Sequence, residues 1–371
     1  MRLAKFVALA WLVAACGDIT RGDDGGMPPD GDGGADPDAV PGIDGTRGQL
    51  DAGPGADKLD VLFVVDNSGS MFEEQAALAT AFDSNFIANL RHDGNLPSLH
   101  IGVVSTDLGA GPFGIQGCTG SGDNGVLQNA PRGDCTPPAD RYIIDLDDGD
   151  GTRTTNYTGT LAKTFSCIAK LGTNGCGFEQ PLESMRRALD DNPSNAGFLR
   201  DDAALLVIIV SDEDDCSTEH TEMFDTSQTS PKSPLGPLSS FRCFEFGVEC
   251  SPDVPRAPGM KFACGPREDS PYMFTVAEYI EFLDDLKGGK LVVAAIVGDR
   301  TPVIVNAEVG VGFELAPSCS VGGDGGRFAV PGVRFHSFLE GFPSRSIGPS
   351  ICADMAASLQ AITDLVNDRL L

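Results

Sequence analysis

Asp66, Ser68 and Ser70 stand two residues apart, separated by Asn67 and Gly69. One carboxylate and two hydroxyls at that spacing offer oxygen ligands only. This is the donor set of a hard cation such as Mg²⁺, or of Mn²⁺ or Ca²⁺. Two more groups of the same kind, Thr106 with Asp107 and Ser211 with Asp212, also follow apolar runs. Hydrolytic machinery is poorly represented. Ser68 and Ser70 do not sit in G-x-S-x-G, and no H-E-x-x-H is present. The histidines His92, His100, His220 and His336 adjoin none of these motifs. A phosphatase using D-x-D would need a second acid where Ser68 stands.

The elements that must position these residues follow from hydrophobic patterning. Residues 61–65, 100–105, 204–210 and 291–297 are short, continuous runs rich in Val, Ile and Leu, as expected of strands buried on both faces. Between them lie helical patterns. One covers 73–91, with Leu78, Phe82, Phe86 and Leu90 on one face. Others cover 159–170 and 181–189, the latter with Pro181 in a favoured first-turn position. Thr275 and Glu278 form a capping box opening a helix that carries Val276, Tyr279, Ile280, Leu283 and Leu286. A last helix from about 353 has a stripe of Met355, Leu359, Ile362, Val366 and Leu370. Alternating strands and helices predict an α/β domain with a mostly parallel central sheet flanked by helices. In such a sheet the carboxyl ends of the strands share one rim, so the three motifs converge on one site. Gly-, Asp- and Pro-rich segments at about 109–158, 217–272 and 298–350 read as irregular insertions, the last with an edge strand near 333–338.

Together these features resemble the von Willebrand factor type A domain, a Rossmann-like fold, over roughly residues 58–371 apart from the insertions. In that family the D-x-S-x-S loop forms a metal-ion-dependent adhesion site. The resemblance implies that Asp66, Ser68 and Ser70 hold the metal and that Asp212 matches the acid after the central strand. It implies a threonine on the loop before a middle helix, for which Thr173 is the candidate. Thr173 lies further from the helix at Pro181 than is usual, and Glu179 on the same loop is an outside candidate. The implied function is non-catalytic: a partner's Asp or Glu completes the shell of the metal. The alternatives are a metal-dependent hydrolase using the same rim, and a disulfide-braced structural envelope protein with an inactive metal site.

Other acids have plainer readings. Asp66 alone fits a helix N-cap, which would not require a second acid at Asp212. Asp107 reads as a turn residue, and Asp214 and Asp215 as solvated loop acids or a cap. The run from Asp145 to Gly151 reads as an acidic turn, because the twelfth position of a Ca²⁺ loop counted from Asp145 is Asn156.

The N-terminus predicts export. Arg2 and Lys5 precede an apolar stretch at 6–15, too short to span a membrane. Residues 13–16 resemble the lipobox of bacterial lipoproteins, which implies a signal peptide over 1–15 and a lipid on Cys16. Residues 16–57 are a Gly/Asp/Pro-rich tether with too little apolar content to fold. Eleven cysteines less Cys16 leave ten: Cys118, Cys135, Cys167, Cys176, Cys216, Cys243, Cys250, Cys264, Cys319 and Cys352. In an exported protein they read as disulfides. Spacing suggests local pairs such as Cys118 with Cys135 or Cys167 with Cys176, and leaves the connectivity open. The formal charge of −28 disfavours nucleic acid and anionic lipid surfaces as partners. The expected setting is the envelope of a Gram-negative bacterium, at the outer membrane or cell surface, with membrane contact only through the lipid.

Overall fold

The computed structural model describes residues 56–132, 135–308, 312–322 and 327–371. The signal segment, Cys16 and nearly all of the tether lie outside them. The described residues belong to one compact unit.

Its centre is a seven-stranded sheet of β1 (Lys58–Val65), β2 (Ser98–Ser105), β3 (Ile143–Asp147), β4 (Arg153–Thr155), β5 (Ala204–Val210), β6 (Leu291–Ile296) and β7 (Ser346–Ile347). The spatial order is β7-β6-β5-β1-β2-β3-β4. The first five strands of that order are parallel; β3 and β4 join antiparallel at one edge. Val65 pairs with Ser105 on one side and Val210 on the other, so β1, β2 and β5 end level. Every residue of β2 and β5 is buried, as continuous apolar runs covered on both faces should be.

Helices cover the two faces. On one, α1 (Phe72–Ala81), α2 (Leu161–Ala169) and α7 (Met355–Arg369) pack on Leu59, Val61, Phe63 and Val65. On the other, α3 (Pro181–Leu189), α5 (Val276–Lys287) and α6 (Val333–Glu340) pack on Leu62 and Val64. Phe82 and Phe165 stack at 3.7 Å between ring centroids beneath Phe63. Truncating Phe165 to Ala removes about 3–5 kcal/mol of stability by the usual cost of a core aromatic.

Several sequence expectations need correction. The helix expected over 73–91 ends as an α-helix at Ala81 and continues as a π-helix over Phe82–Ile87. The wider turn stacks Phe82 on Phe86, residues four apart. The insertion at 109–158 is not loop alone, since it supplies β3 and β4 and so widens the sheet. The expected edge strand at 333–338 is helix α6. Its alternating apolar residues suggested a strand, but Asp214, 120 positions earlier, accepts the free N–H groups of Arg334 and Phe335 and caps the helix. The edge strand is β7 instead.

All ten cysteines are paired, and of the five bonds only Cys250–Cys264, 14 residues apart, is local. The bonds are Cys118–Cys176, Cys135–Cys167, Cys216–Cys243, Cys250–Cys264 and Cys319–Cys352. The suggested pairs Cys118–Cys135 and Cys167–Cys176 are therefore wrong. Cys135 is drawn to α2, where Cys167 sits, and Cys118 to the loop before α3, so the fold brings together cysteines that sequence spacing separates. In the second insertion the buried Arg242 of helix α4 (Phe241–Gly247) donates to the carbonyls of Met223 and Gly236 at 2.6 and 2.8 Å and organises the loop around its charge. Among the described residues, no helix is long and apolar enough to cross a membrane.

Candidate metal centre

Asp66 follows directly on β1, and its backbone N–H continues the sheet by donating to Val210 of β5 at 3.0 Å. Its side chain is fully buried. Oδ1 accepts the Ser68 N–H at 2.7 Å, and Oδ2 accepts the Ser211 hydroxyl at 2.7 Å. The first contact turns the chain tightly after the strand, and the second ties two strand ends together. Ser68 Oγ lies 3.3 Å from Ser70 Oγ, so the two hydroxyls stand side by side at the opening of α1.

Asp212 follows Ser211 at the end of β5 and is 6% exposed. Its backbone carbonyl accepts the Val330 N–H at 2.9 Å. Its Oδ1 is buried with no hydrogen-bond partner among the described residues. Thr106 follows directly on β2, on the other side of Asp66. It is fully buried, and its hydroxyl also has no partner among the described residues. The three strand-end motifs therefore share one rim, as parallel strands require.

The Thr173 loop is held against the same rim. Gln75 of α1 donates to the Asp66 carbonyl at 2.8 Å and the Gly172 carbonyl at 3.0 Å, and accepts the Gly172 N–H at 3.0 Å. The Gly175 N–H donates to the Asn67 carbonyl at 2.8 Å. A Cβ on Gly175 would meet the Asn67 side chain at 2.3 Å, so only glycine permits that approach. Thr173, half-buried, lies between these two tethers. The Cys118–Cys176 bond anchors the loop from the far side.

Electrostatics set this rim apart. Burial, and then the charge of Asp66, pushes the Asp212 carboxyl up to about 8, against the pull of the Ser70 hydroxyl. Burial raises Asp66 as well, while hydrogen bonds from Ser68 and Ser211 pull it back. Glu179 is 1% exposed, and one of its carboxyl oxygens has no partner among the described residues. Burial, followed by the charges of Glu213 and Asp66, holds Glu179 well above the carboxylate range. Glu213 is pushed up to about 7, first by burial and then by Asp66. Carboxylates crowded at one rim repel one another and favour protons, a state that a bound cation relieves.

These donors fit a hard cation: two carboxylates, adjacent hydroxyls and buried oxygens without partners. Among the described residues, no group of three or more His, Cys, Asp and Glu side chains is arranged to hold a metal ion. A shell of two acids and several hydroxyls needs no such group.

Sequence reading missed Glu213, hidden in the acidic run after β5. It placed Thr106 at the rim without giving it a role. Asp107 is a turn residue, its Oδ1 accepting the Gly109 N–H at 2.8 Å. Of the two readings of Asp214 and Asp215, solvated acid or cap, the cap holds for both. Asp214 caps α6, while Asp215 is fully buried, accepts the Leu182 N–H at the start of α3 and pairs with Arg334 at 3.0 Å.

No family model matches the chain, and no curated protein matches it. Among solved structures it is similar to proximal thread matrix protein 1 from the mussel byssus, at 10% identity and a TM-score of 0.35, over 84% of this chain and 49% of that one. It is also similar to the pilus adhesin SpaC from Lactobacillus rhamnosus GG, at 11% identity and a TM-score of 0.34, over 85% of this chain and 32% of that one. The chain thus spans about half the length of the first and about a third of the second. Likeness at these TM-scores carries no argument about function.

Proposed function

We propose that residues 58–371 form a von Willebrand factor A-type adhesion module. In this reading Asp66, Ser68, Ser70, Asp212 and a hydroxyl from Thr173 hold Mg²⁺, Mn²⁺ or Ca²⁺. When bound, the cation supplies a Lewis-acidic position for a carboxylate of a protein partner. Asp66 orients the loop through Ser68 and Ser211, the hydroxyls leave the metal electron-poor, and Asp212 balances charge. The carrying observation is that Asp212 Oδ1, buried and without a partner among the described residues, stands at the strand end adjoining Asp66, where burial and then the charge of Asp66 raise its carboxyl. No histidine adjoins the rim motifs in sequence, but Glu213, pushed up to about 7, is a group a hydrolase could use as base, so ester turnover is the measurement that separates the two readings. Export and lipidation at Cys16, probed by labelling with a radioactive fatty acid, complete the reading.

Calorimetry of Mg²⁺ or Mn²⁺ with the purified protein and with Asp66→Ala tests it. Binding by the parent and none by a folded variant supports the module. Stable folding without any metal response overturns it in favour of the structural reading, and turnover of phosphate or peptide esters overturns it in favour of a hydrolase. Capture of partners with and without EDTA then asks whether a carboxylate-bearing protein depends on the metal.

A further inference from the structure

The chain carries 54 acids against 26 Lys and Arg, yet one cavity of about 550 Å³ has the opposite character. Lys163, Ser166 and Lys170 recur three and four residues apart, which places them on one stripe of α2 and its C-terminal cap. The opposite stripe, with Phe165 and Ile168, is buried in the core, so this one must face outward. Cys167 lies on the outward stripe. Its bond to Cys135 holds that residue against the helix, and Arg132 and Thr136 line the same cavity. Thr158, ahead of the helix, closes the rim. Among the described residues, the lining holds three cations and no acid. Arg132 also reaches over Gly172, where a Cβ would stand 3.0 Å from Nη1.

We infer that this cavity binds a phosphate or sulfate ester of a sugar-sized molecule. Two ammonium groups and a guanidinium fork match the three terminal oxygens shared by phosphate and sulfate esters better than the two oxygens of a carboxylate, and the second charge of a phosphate ester favours it further. The threonine and serine hydroxyls suit the remaining oxygens. The volume is that of a small-molecule site and exceeds what a bare ion fills. The lining shares no residue with the proposed metal centre.

The test is calorimetry at low ionic strength, with EDTA throughout, using phosphorylated glucose, sulfated glucose, plain glucose and inorganic phosphate. The expected result is millimolar or tighter binding of one or both esters, no binding of plain glucose, and loss of affinity with added salt. The sugar arms distinguish a phosphate from a sulfate source. The exposed pair Lys163→Gln with Lys170→Gln leaves the core untouched and should weaken binding by at least about tenfold, the worth of one charged hydrogen bond. Failure of both esters to bind, unchanged affinity in a folded double variant, or equally tight binding of inorganic phosphate, which marks an adventitious ion site, overturns the assignment.

Discussion

Ser211 donates its hydroxyl to Asp66 Oδ2 at 2.7 Å, joining the ends of two neighbouring parallel strands that are 145 residues apart in sequence. That bond leaves Asp66 one defined rotamer and sets Asp212, the next residue, against it. We therefore expect Ser211→Ala to keep the fold and to weaken Mg²⁺ or Mn²⁺ binding by about 10- to 100-fold, as the loss of a group that orients a metal ligand does. Titration calorimetry reads this directly; an unchanged affinity would mean that Asp66 is not a ligand held by Ser211.

Acidity should couple to metal in a defined direction. Asp212 is protonated in the metal-free fold up to about pH 8, through burial and the neighbouring Asp66, whereas its ordinary value is 3.8. The folded state thus holds a proton that the unfolded chain has lost. The stability contributed by this group is full below pH 3.8 and is lost as pH rises towards 8. Cation binding must expel that proton, so affinity rises over the same window. Melting curves from acid to mildly alkaline pH, with and without Mg²⁺, should show a metal-free decline that is flattened in Asp212→Asn and reversed by the metal. Identical pH profiles for the parent and Asp212→Asn would refute the coupling.

The pair Arg334–Asp215 is fully buried and spans the chain between the acidic run after β5 and helix α6. Removing one member strands the other charge without water. Arg334→Ala should cost about 3–5 kcal/mol in urea unfolding. Arg334→Met combined with Asp215→Asn should recover part of that, because neither charge is then left unpaired. A cost under about 1 kcal/mol for the single variant, the range of an exposed pair, would contradict the buried geometry.

Cys118 and Cys176 close a separation of 58 residues. Chain entropy values that closure at about 4 kcal/mol. Replacing both with Ser should lower the melting temperature and, by freeing the loop around Thr173, weaken metal binding. Thr173→Ala should weaken metal binding with little effect on melting. If both variants leave affinity intact, Thr173 is not a ligand, and Thr106, whose buried hydroxyl has no partner among the described residues, becomes the hydroxyl to test.

Sequence patterning located helix α3 and strand β5 to the residue, at 181–189 and 204–210. A proline in the first turn and an unbroken aliphatic run are signals internal to each segment. It misassigned 333–338, where the decision rests with Asp214 on a distant loop. It also mispaired the cysteines, because spacing along the chain says nothing of which loops lie over which helices.

Sequence by itself determined the mostly parallel α/β class, the acids and hydroxyls after the strands and their common rim, because strand direction follows from alternation and the oxygen donors are read directly from the residues. Tertiary structure alone decided the bond from Ser211 to Asp66, the burial that lifts Asp212 and Glu179, the five disulfide partners and the basic cavity over α2. Each of these depends on distances between segments far apart in the chain, which only packing establishes.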